Sequence, residues 1–209
     1  MLAERLKGHP PIVGVLRASS RELAVRAAMA AIQSGLSCIE LTFTTPEAHR
    51  AVQDLRLICG PEVLIGLGSV TCAEQLHMAQ HAEADFLVSP HLDPELLIQA
   101  QSLGLEYVPG AFTPSEVVQA LKHGAKTIKV FPASRLGPAY FKDLAGPLPG
   151  LSLMATGGIS ADNLQAYLQA GARMVGVGSI FPTAALENRQ WDVIQQKTLE
   201  VLHTAQVPA

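Results

Sequence analysis

The chain contains no apolar run near the ~20 residues needed to span a bilayer. Its longest apolar runs are strand-sized, each bounded by Gly, Pro or a polar residue, so no membrane partner is expected. No block of Lys or Arg stands out and the formal net charge is only −3. Without a basic patch, nucleic acid is excluded as an expected partner. Cysteine is scarce: Cys38, Cys59 and Cys72 are odd in number and far apart. They fit neither a disulfide framework nor a zinc spacing, which favours a reduced, cytoplasmic setting with buried, inert thiols. The seven histidines form no His-x-His or strand-borne His/acid cluster, so no metal ligands are assigned. His77 and His81, four apart on a helix, read as surface residues. No Gly-x-Gly-x-x-Gly opens the first helix, which counts against a dinucleotide site. The segment from Met1 to Pro11 holds Glu4 and no apolar h-region, so it is not read as a signal peptide. It reads as a short N-terminal helix stopped by Gly8 and Pro10.

What is present is regular alternation. Hydrophobic residues make up 48% of the 209 residues, ample for one large core. Short β-branched runs recur every 20–25 residues or so, as strand-plus-helix units should: 12–16, 38–42, 64–67, 85–89, 105–109, 127–131, 151–155 and 174–177. Several are apolar on both faces, as parallel strands covered on both sides are. Ser19 with Glu22, Thr71 with Glu74 and Thr113 with Glu116 have capping-box spacing. Thr45-Pro46 and Asp93-Pro94 place a capping side chain before a first-turn proline. Gly35, Gly104, Gly124 and Gly171 stand where helices should end. Between 133 and 149 the prolines and glycines leave room only for a short helix. Eight βα units without a linker read as one α/β domain over residues 1–209, a (β/α)8 TIM barrel. A doubly wound open sheet is the alternative.

Barrel active sites lie at the C-terminal ends of the strands, and side chains there alternate between the interior and the helix layer. In Cys38-Ile-Glu-Leu-Thr42, Ile39 and Leu41 suit the helix layer, which turns Glu40 and Thr42 inward. In Thr127-Ile-Lys-Val-Phe131, Ile128 and Val130 suit it, which turns Lys129 inward with Phe131. Charges inside a barrel are costly unless paired or used. A salt bridge that merely fills the interior is the bland reading. The chemical one is that apolar walls disfavour a lysine cation and release a nucleophilic amine. Such an amine attacks a ketone to form an imine, and the protonated imine draws electrons from a neighbouring C–C bond. Glu40 is placed to carry the protons. This chemistry calls on no metal and no cofactor.

Two glycine-rich segments end the last two strands, 155–163 and 176–180. Loops at these positions commonly hold phosphate, because glycine lets backbone N–H groups approach its oxygens. The Ser179 hydroxyl adds a donor. Arg17 ends the first strand, where a guanidinium could clamp a carboxylate or simply be solvated.

Taken with Glu40-Leu-Thr42, Gly66-Leu-Gly-Ser-Val70, Ser89-Pro90, Ile128-Lys-Val-Phe-Pro132, Thr156-Gly-Gly-Ile159 and Gly176-Val-Gly-Ser179, the chain resembles the 2-keto-3-deoxy-6-phosphogluconate aldolases. That family includes 4-hydroxy-2-oxoglutarate aldolases and 6-phosphogalactonate variants. The resemblance runs over nearly the whole chain. It implies a homotrimeric barrel that splits a sugar acid phosphate into pyruvate and glyceraldehyde 3-phosphate. It makes Lys129 the Schiff-base lysine and Glu40 the acid/base. Arg17, Ser69, Pro90, Phe131 and Thr156 fall at the pyruvate end, and Gly157, Gly158, Gly178 and Ser179 at the phosphate. The chain departs from the pattern at Thr44, where many members carry Arg, and at Leu67, Ser69 and Ala155. A phosphate-binding barrel without aldolase activity, or an aldolase for the 6-phosphogalactonate epimer, are the competing expectations.

Overall fold

Parallel strands need crossover connections, and this chain supplies a helix after nearly every one. The computed structural model describes residues 2–206. Its strands are β1 (Ile12–Leu16), β2 (Cys38–Thr42), β3 (Leu64–Gly68), β4 (Leu87–Val88), β5 (Tyr107–Val108), β6 (Gly110–Ala111), β7 (Ile128–Val130), β8 (Leu153–Thr156) and β9 (Met174–Val177). All pair in parallel, in the order β5-β4-β3-β2-β1-β9-β8-β7-β6. β5 and β6 are halves of one stave broken at Pro109, which has no N–H to give a neighbouring strand. β5 pairs with β4 and β6 with β7, so eight staves close into a barrel. The fifth stave sits two residues later than its apolar run suggests. Before β5 the Glu106 carbonyl still accepts from the Leu87 N–H, 2.7 Å, while its side chain accepts from the Leu2 N–H beneath the barrel.

Several helix starts differ from the sequence reading. The Thr113–Glu116 capping box forms at α6 (Pro114–Lys122), and Asp93 caps α5 (Pro94–Ser102). At α2 (Arg21–Gln33) the cap is Ser20 rather than Ser19, because Ser19 turns away to donate to Glu187, 2.7 Å. At α3 (Ala48–Ile58) the cap is Glu47. Thr45 instead accepts from the Ala18 N–H at 3.0 Å, tying the ends of two staves together. At α4 (Ala73–His81) Cys72 takes the position with no side-chain bond, and the Thr71 N–H goes to Gln75. Cys72 is exposed and Cys59 half-buried, so only Cys38 is a buried thiol. The four expected helix-ending glycines all have positive φ. The region after β7 folds into two short helices, α7 (Ala133–Leu136) and α8 (Ala139–Ala145).

Alternation along the staves divides the core. Ile39, Leu41, Ile128 and Val130 pack outward against the helices. Val13, Cys38, Leu64, Phe86, Val88, Val108, Met154 and Met174 fill the barrel. Leu2 and Leu6 join this inner set, so α1 (Leu2–Arg5) and the turn after it plug the end remote from the strand C-termini. Arg5 holds the plug through Asp85, 2.5 Å, and Asp85 also pairs with Arg56 and accepts from the Ile65 N–H. Leu6 is 4% exposed. Leu6→Ala therefore removes a buried side chain from a closed interior, and the expected loss is about 2–5 kcal/mol. Urea unfolding should show a lower midpoint at unchanged slope; a change near zero would mean the plug is not packed as described.

Candidate active site

The strand C-termini open into a cleft of about 720 Å³. Glu40 enters it from β2 and Lys129 from β7. Both are buried, 1% and 5% exposed. The remaining expected site residues also line it: Arg17, Ser69, Pro90, Phe131, Thr156, Gly157, Gly158, Gly178 and Ser179. Alternation along β2 and β7 accounts for the two charged groups, since their sequence neighbours belong to the outer core.

Local packing makes room for Glu40. It is in register with Gly66, and Thr42 with Gly68. The Glu40 side chain lies over Gly68 so closely that a Cβ there would collide with its carboxyl group. The Phe86 ring fills the space above Gly66 in the same way. Two glycines on one strand thus let a carboxyl and an aromatic ring share the barrel interior. Burial pushes the Glu40 pKa up, opposed by the nearby positive charges of Lys129 and Arg17. A carboxyl in that state keeps its proton to higher pH than an exposed one and can act as a proton donor. Its Oε2 has no hydrogen-bond partner, and neither does Thr156 Oγ1. Buried polar atoms are rarely left so, and both belong to residues that line the cleft.

The amine of Lys129 lies 4.8 Å from the centre of the Phe131 ring, close enough for a cation–π contact when protonated. On the register of the sheet it is level with Gly110 and Met154. Gly110 in turn packs against the backbone of Pro90 and His91, with no room for a Cβ. The Pro90 turn is therefore pressed against the stave next to the lysine. Ser69 sits at the end of β3 with φ 60°, a left-handed conformation uncommon for a residue other than glycine and one that concentrates at functional sites.

Gly157 and Gly158 both have positive φ, 93° and 74°. Their loop is fixed from both sides. The Ser134 N–H donates to the Gly157 carbonyl, 3.0 Å, and the Asn163 amide to the Gly158 carbonyl, 2.9 Å. A Cβ on Gly158 would meet Ser134 at 2.6 Å. Ser179, opposite, donates to the Ile159 carbonyl at 3.3 Å.

Sequence reasoning left several wall residues without a role. Phe43, Thr71, Gln75 and Ile159 line the cleft, as do Thr42 and Thr44, whose hydroxyls are 2.8 Å apart. The Thr71–Gln75 contact was concealed by the capping-box spacing of Thr71 and Glu74, which points to the neighbouring residue instead.

This geometry can be set beside known proteins. The family described as "Aldolase: KDPG and KHG aldolase" matches residues 3–197. A 2-dehydro-3-deoxy-phosphogluconate aldolase of Haemophilus influenzae is 36% identical over 172 residues, 81% of each chain. A 2-dehydro-3-deoxy-6-phosphogalactonate aldolase of Escherichia coli is 30% identical over 170 residues, 81% of this chain and 83% of that one. A crystal structure of the KDPG aldolase from Legionella pneumophila, with pyruvate captured as a covalent carbinolamine, superposes with a TM-score of 0.89. It is 30% identical, over 97% of this chain and 98% of that one. A lysine and a carboxyl buried in one barrel cleft, on a chain that matches along nearly its full length, lead to one conclusion: this protein belongs to the KDPG and KHG aldolase family, and is a lyase.

Proposed function

We propose that the protein is a metal-independent, Schiff-base-forming aldolase that cleaves 2-keto-3-deoxy-6-phosphogluconate to pyruvate and glyceraldehyde 3-phosphate. The observation that carries this reading is the placement of a buried amine and a buried carboxyl of raised pKa in one cleft. The Lys129 amine adds to the substrate ketone, and Glu40 supplies the proton with which the carbinolamine loses water. The resulting iminium draws the electrons of the C3–C4 bond as Glu40 carboxylate takes the proton from the C4 hydroxyl. Glyceraldehyde 3-phosphate leaves. The enamine regains a proton at C3, and water releases pyruvate. Arg17 and Ser69 serve the carboxylate end, with Pro90, Phe131 and Thr156 as walls. Gly157, Gly158, Gly178 and Ser179 serve the phosphate. The covalent pyruvate in the Legionella relative supports the imine.

The same groups serve 4-hydroxy-2-oxoglutarate, whose short chain needs no phosphate loops. The Escherichia coli relative supports the 6-phosphogalactonate epimer as a second substrate. The resemblance supports a homotrimer of one-domain subunits. The three free cysteines support a cytoplasmic setting.

Two outcomes test this. Incubation with pyruvate and borohydride should fix one reduced adduct on the peptide that holds Lys129, found by mass spectrometry. An adduct on another lysine, or none on active protein, contradicts the imine. For the phosphate, Ser179→Asp is preferred to a change at Gly158, where a side chain would strike Ser134. It places negative charge against the dianion at the exposed rim of the cleft, where two charges 4 Å apart near a protein surface interact by about 4 kcal/mol. Cleavage of the phosphorylated acid should fall steeply, and that of 4-hydroxy-2-oxoglutarate much less. Equal loss on both in folded protein would move the phosphate elsewhere.

A further inference from the structure

The loops assigned above to the phosphate carry no charge of their own. Gly157, Gly158, Gly178 and Ser179 offer backbone N–H groups and one hydroxyl. A phosphate monoester brings about 1.5–2 negative charges at neutral pH. Among the described residues, the charged side chains in the cleft wall are Arg17, Glu40 and Lys129. Arg17 serves the carboxylate end and Lys129 the ketone, which leaves the dianion to be balanced from outside the cleft wall.

Behind Ser179 the fold supplies such a charge. A recess of about 70 Å³ lies between the loop that follows β8 and the last helix (Trp191–Gln206), with Ser160, Asp162, Ser179, Lys197 and Glu200 in its walls. Ser179 is a wall of both this recess and the cleft. Lys197 is three residues from Ile194 and four from Val201, both buried. It therefore stands on the flank of the inward face of its helix, and it is half-buried. A lysine stem can lie along apolar surface while its ammonium reaches a polar space. Two carboxylates share that space. Asp162 accepts from the Ser160 hydroxyl, 3.4 Å, and Glu200 is exposed. Neither forms a salt bridge with Lys197, which has no ion pair among the described residues. The recess has room for about two water molecules. A change of lysine rotamer, or one ordered water, is enough to carry the ammonium's influence past the Ser179 side chain.

We propose that Lys197 is the cation of the phosphate site: its ammonium pairs with the substrate phosphate across Ser179 and makes the enzyme favour phosphorylated over unphosphorylated substrates. The inference rests on the reading that the loops after β8 and β9 hold phosphate. An ammonium acts on phosphate as a flexible point charge rather than as a bidentate fork, which suits a side chain that approaches from behind a loop. Its attraction adds to the backbone donors and does not replace them. It is made equally to the bound substrate and to the transition state, because the phosphate is remote from the bond that breaks. Such uniform binding shows in KM and not in kcat. 4-Hydroxy-2-oxoglutarate, whose short chain ends before the phosphate loops, gains little from it.

The test compares wild type, Lys197→Met and Lys197→Arg in cleavage of 2-keto-3-deoxy-6-phosphogluconate and of 4-hydroxy-2-oxoglutarate, with inorganic phosphate as a competing probe. Lys197→Met keeps the length of the stem and removes the charge. It should raise KM for the phosphorylated acid, and the inhibition constant of inorganic phosphate, by about tenfold each, the scale of one lost charge-assisted contact. The kcat for the phosphorylated acid and the KM for 4-hydroxy-2-oxoglutarate should each move by less than about twofold. Lys197→Arg keeps the charge and should recover most of the loss, which a lysine needed only for packing would not predict. Added salt should raise KM for the phosphorylated acid more in wild type than in Lys197→Met, since screening acts on the charge that the variant lacks. Lys197→Gln keeps the test available if the Met variant does not fold. An unchanged KM and phosphate inhibition in folded Lys197→Met overturns the inference alone, and so does an equal KM increase for both substrates. If inorganic phosphate does not inhibit the wild type and Ser179→Asp spares the phosphorylated acid, the phosphate reading fails and this inference with it.

Discussion

A carboxyl group and an amine enclosed by a barrel of apolar side chains are the costly feature around which the rest of this structure is arranged. Isolated charges in a low-dielectric interior are strongly disfavoured, and a carboxyl responds by holding its proton. Burial raises the Glu40 pKa accordingly. The sign of the linked stability term follows. Stability is fully present below the ordinary carboxyl pKa, and is lost as pH rises through the raised one, because the unfolded chain releases the proton first. The fold accepts that cost at the one place where the proton is useful.

The surrounding packing can be read as support for this arrangement. Gly68 leaves the space that the Glu40 side chain occupies, and Gly66 the space for Phe86. Phe86 belongs to the inner apolar set closed from below by Leu2 and Leu6. Dry contacts therefore run from the N-terminal plug towards the carboxyl. On the other wall, Pro109 breaks a stave, the Pro90 turn packs against Gly110, and Lys129 is level with Gly110 in the next strand. Ser69, Gly157 and Gly158, all with positive φ, stand at strand ends where the cleft opens.

Much of this was legible in the sequence because period-two alternation is a strong constraint. Once Ile39, Leu41, Ile128 and Val130 are assigned to the helix layer, Glu40 and Lys129 have only the interior left. The Gly157–Gly158 pair after β8 was legible for a similar reason, since few side chains tolerate its positive φ. What was not legible depended on partners distant in sequence. Ser19 gives up a helix cap for Glu187, Thr45 for the Ala18 N–H, and the Glu106 side chain reaches the Leu2 N–H. No local spacing records such choices. A second space beside the cleft, walled by Arg17, Thr44 and Leu186, was hidden for the same reason, because these residues meet only in the folded barrel.

The central claim is that Glu40 holds its proton because it is buried in a dry site shared with Lys129. The most direct measurement is a carbon-detected NMR titration of protein labelled at the glutamate carboxyl carbons, with Glu40→Gln used to assign the signal. The account predicts a midpoint above the ~4.3 of an ordinary glutamate, rising further in Lys129→Met, since the lysine charge opposes the shift. A midpoint at or below the ordinary value, unchanged when Lys129 is replaced, would contradict it.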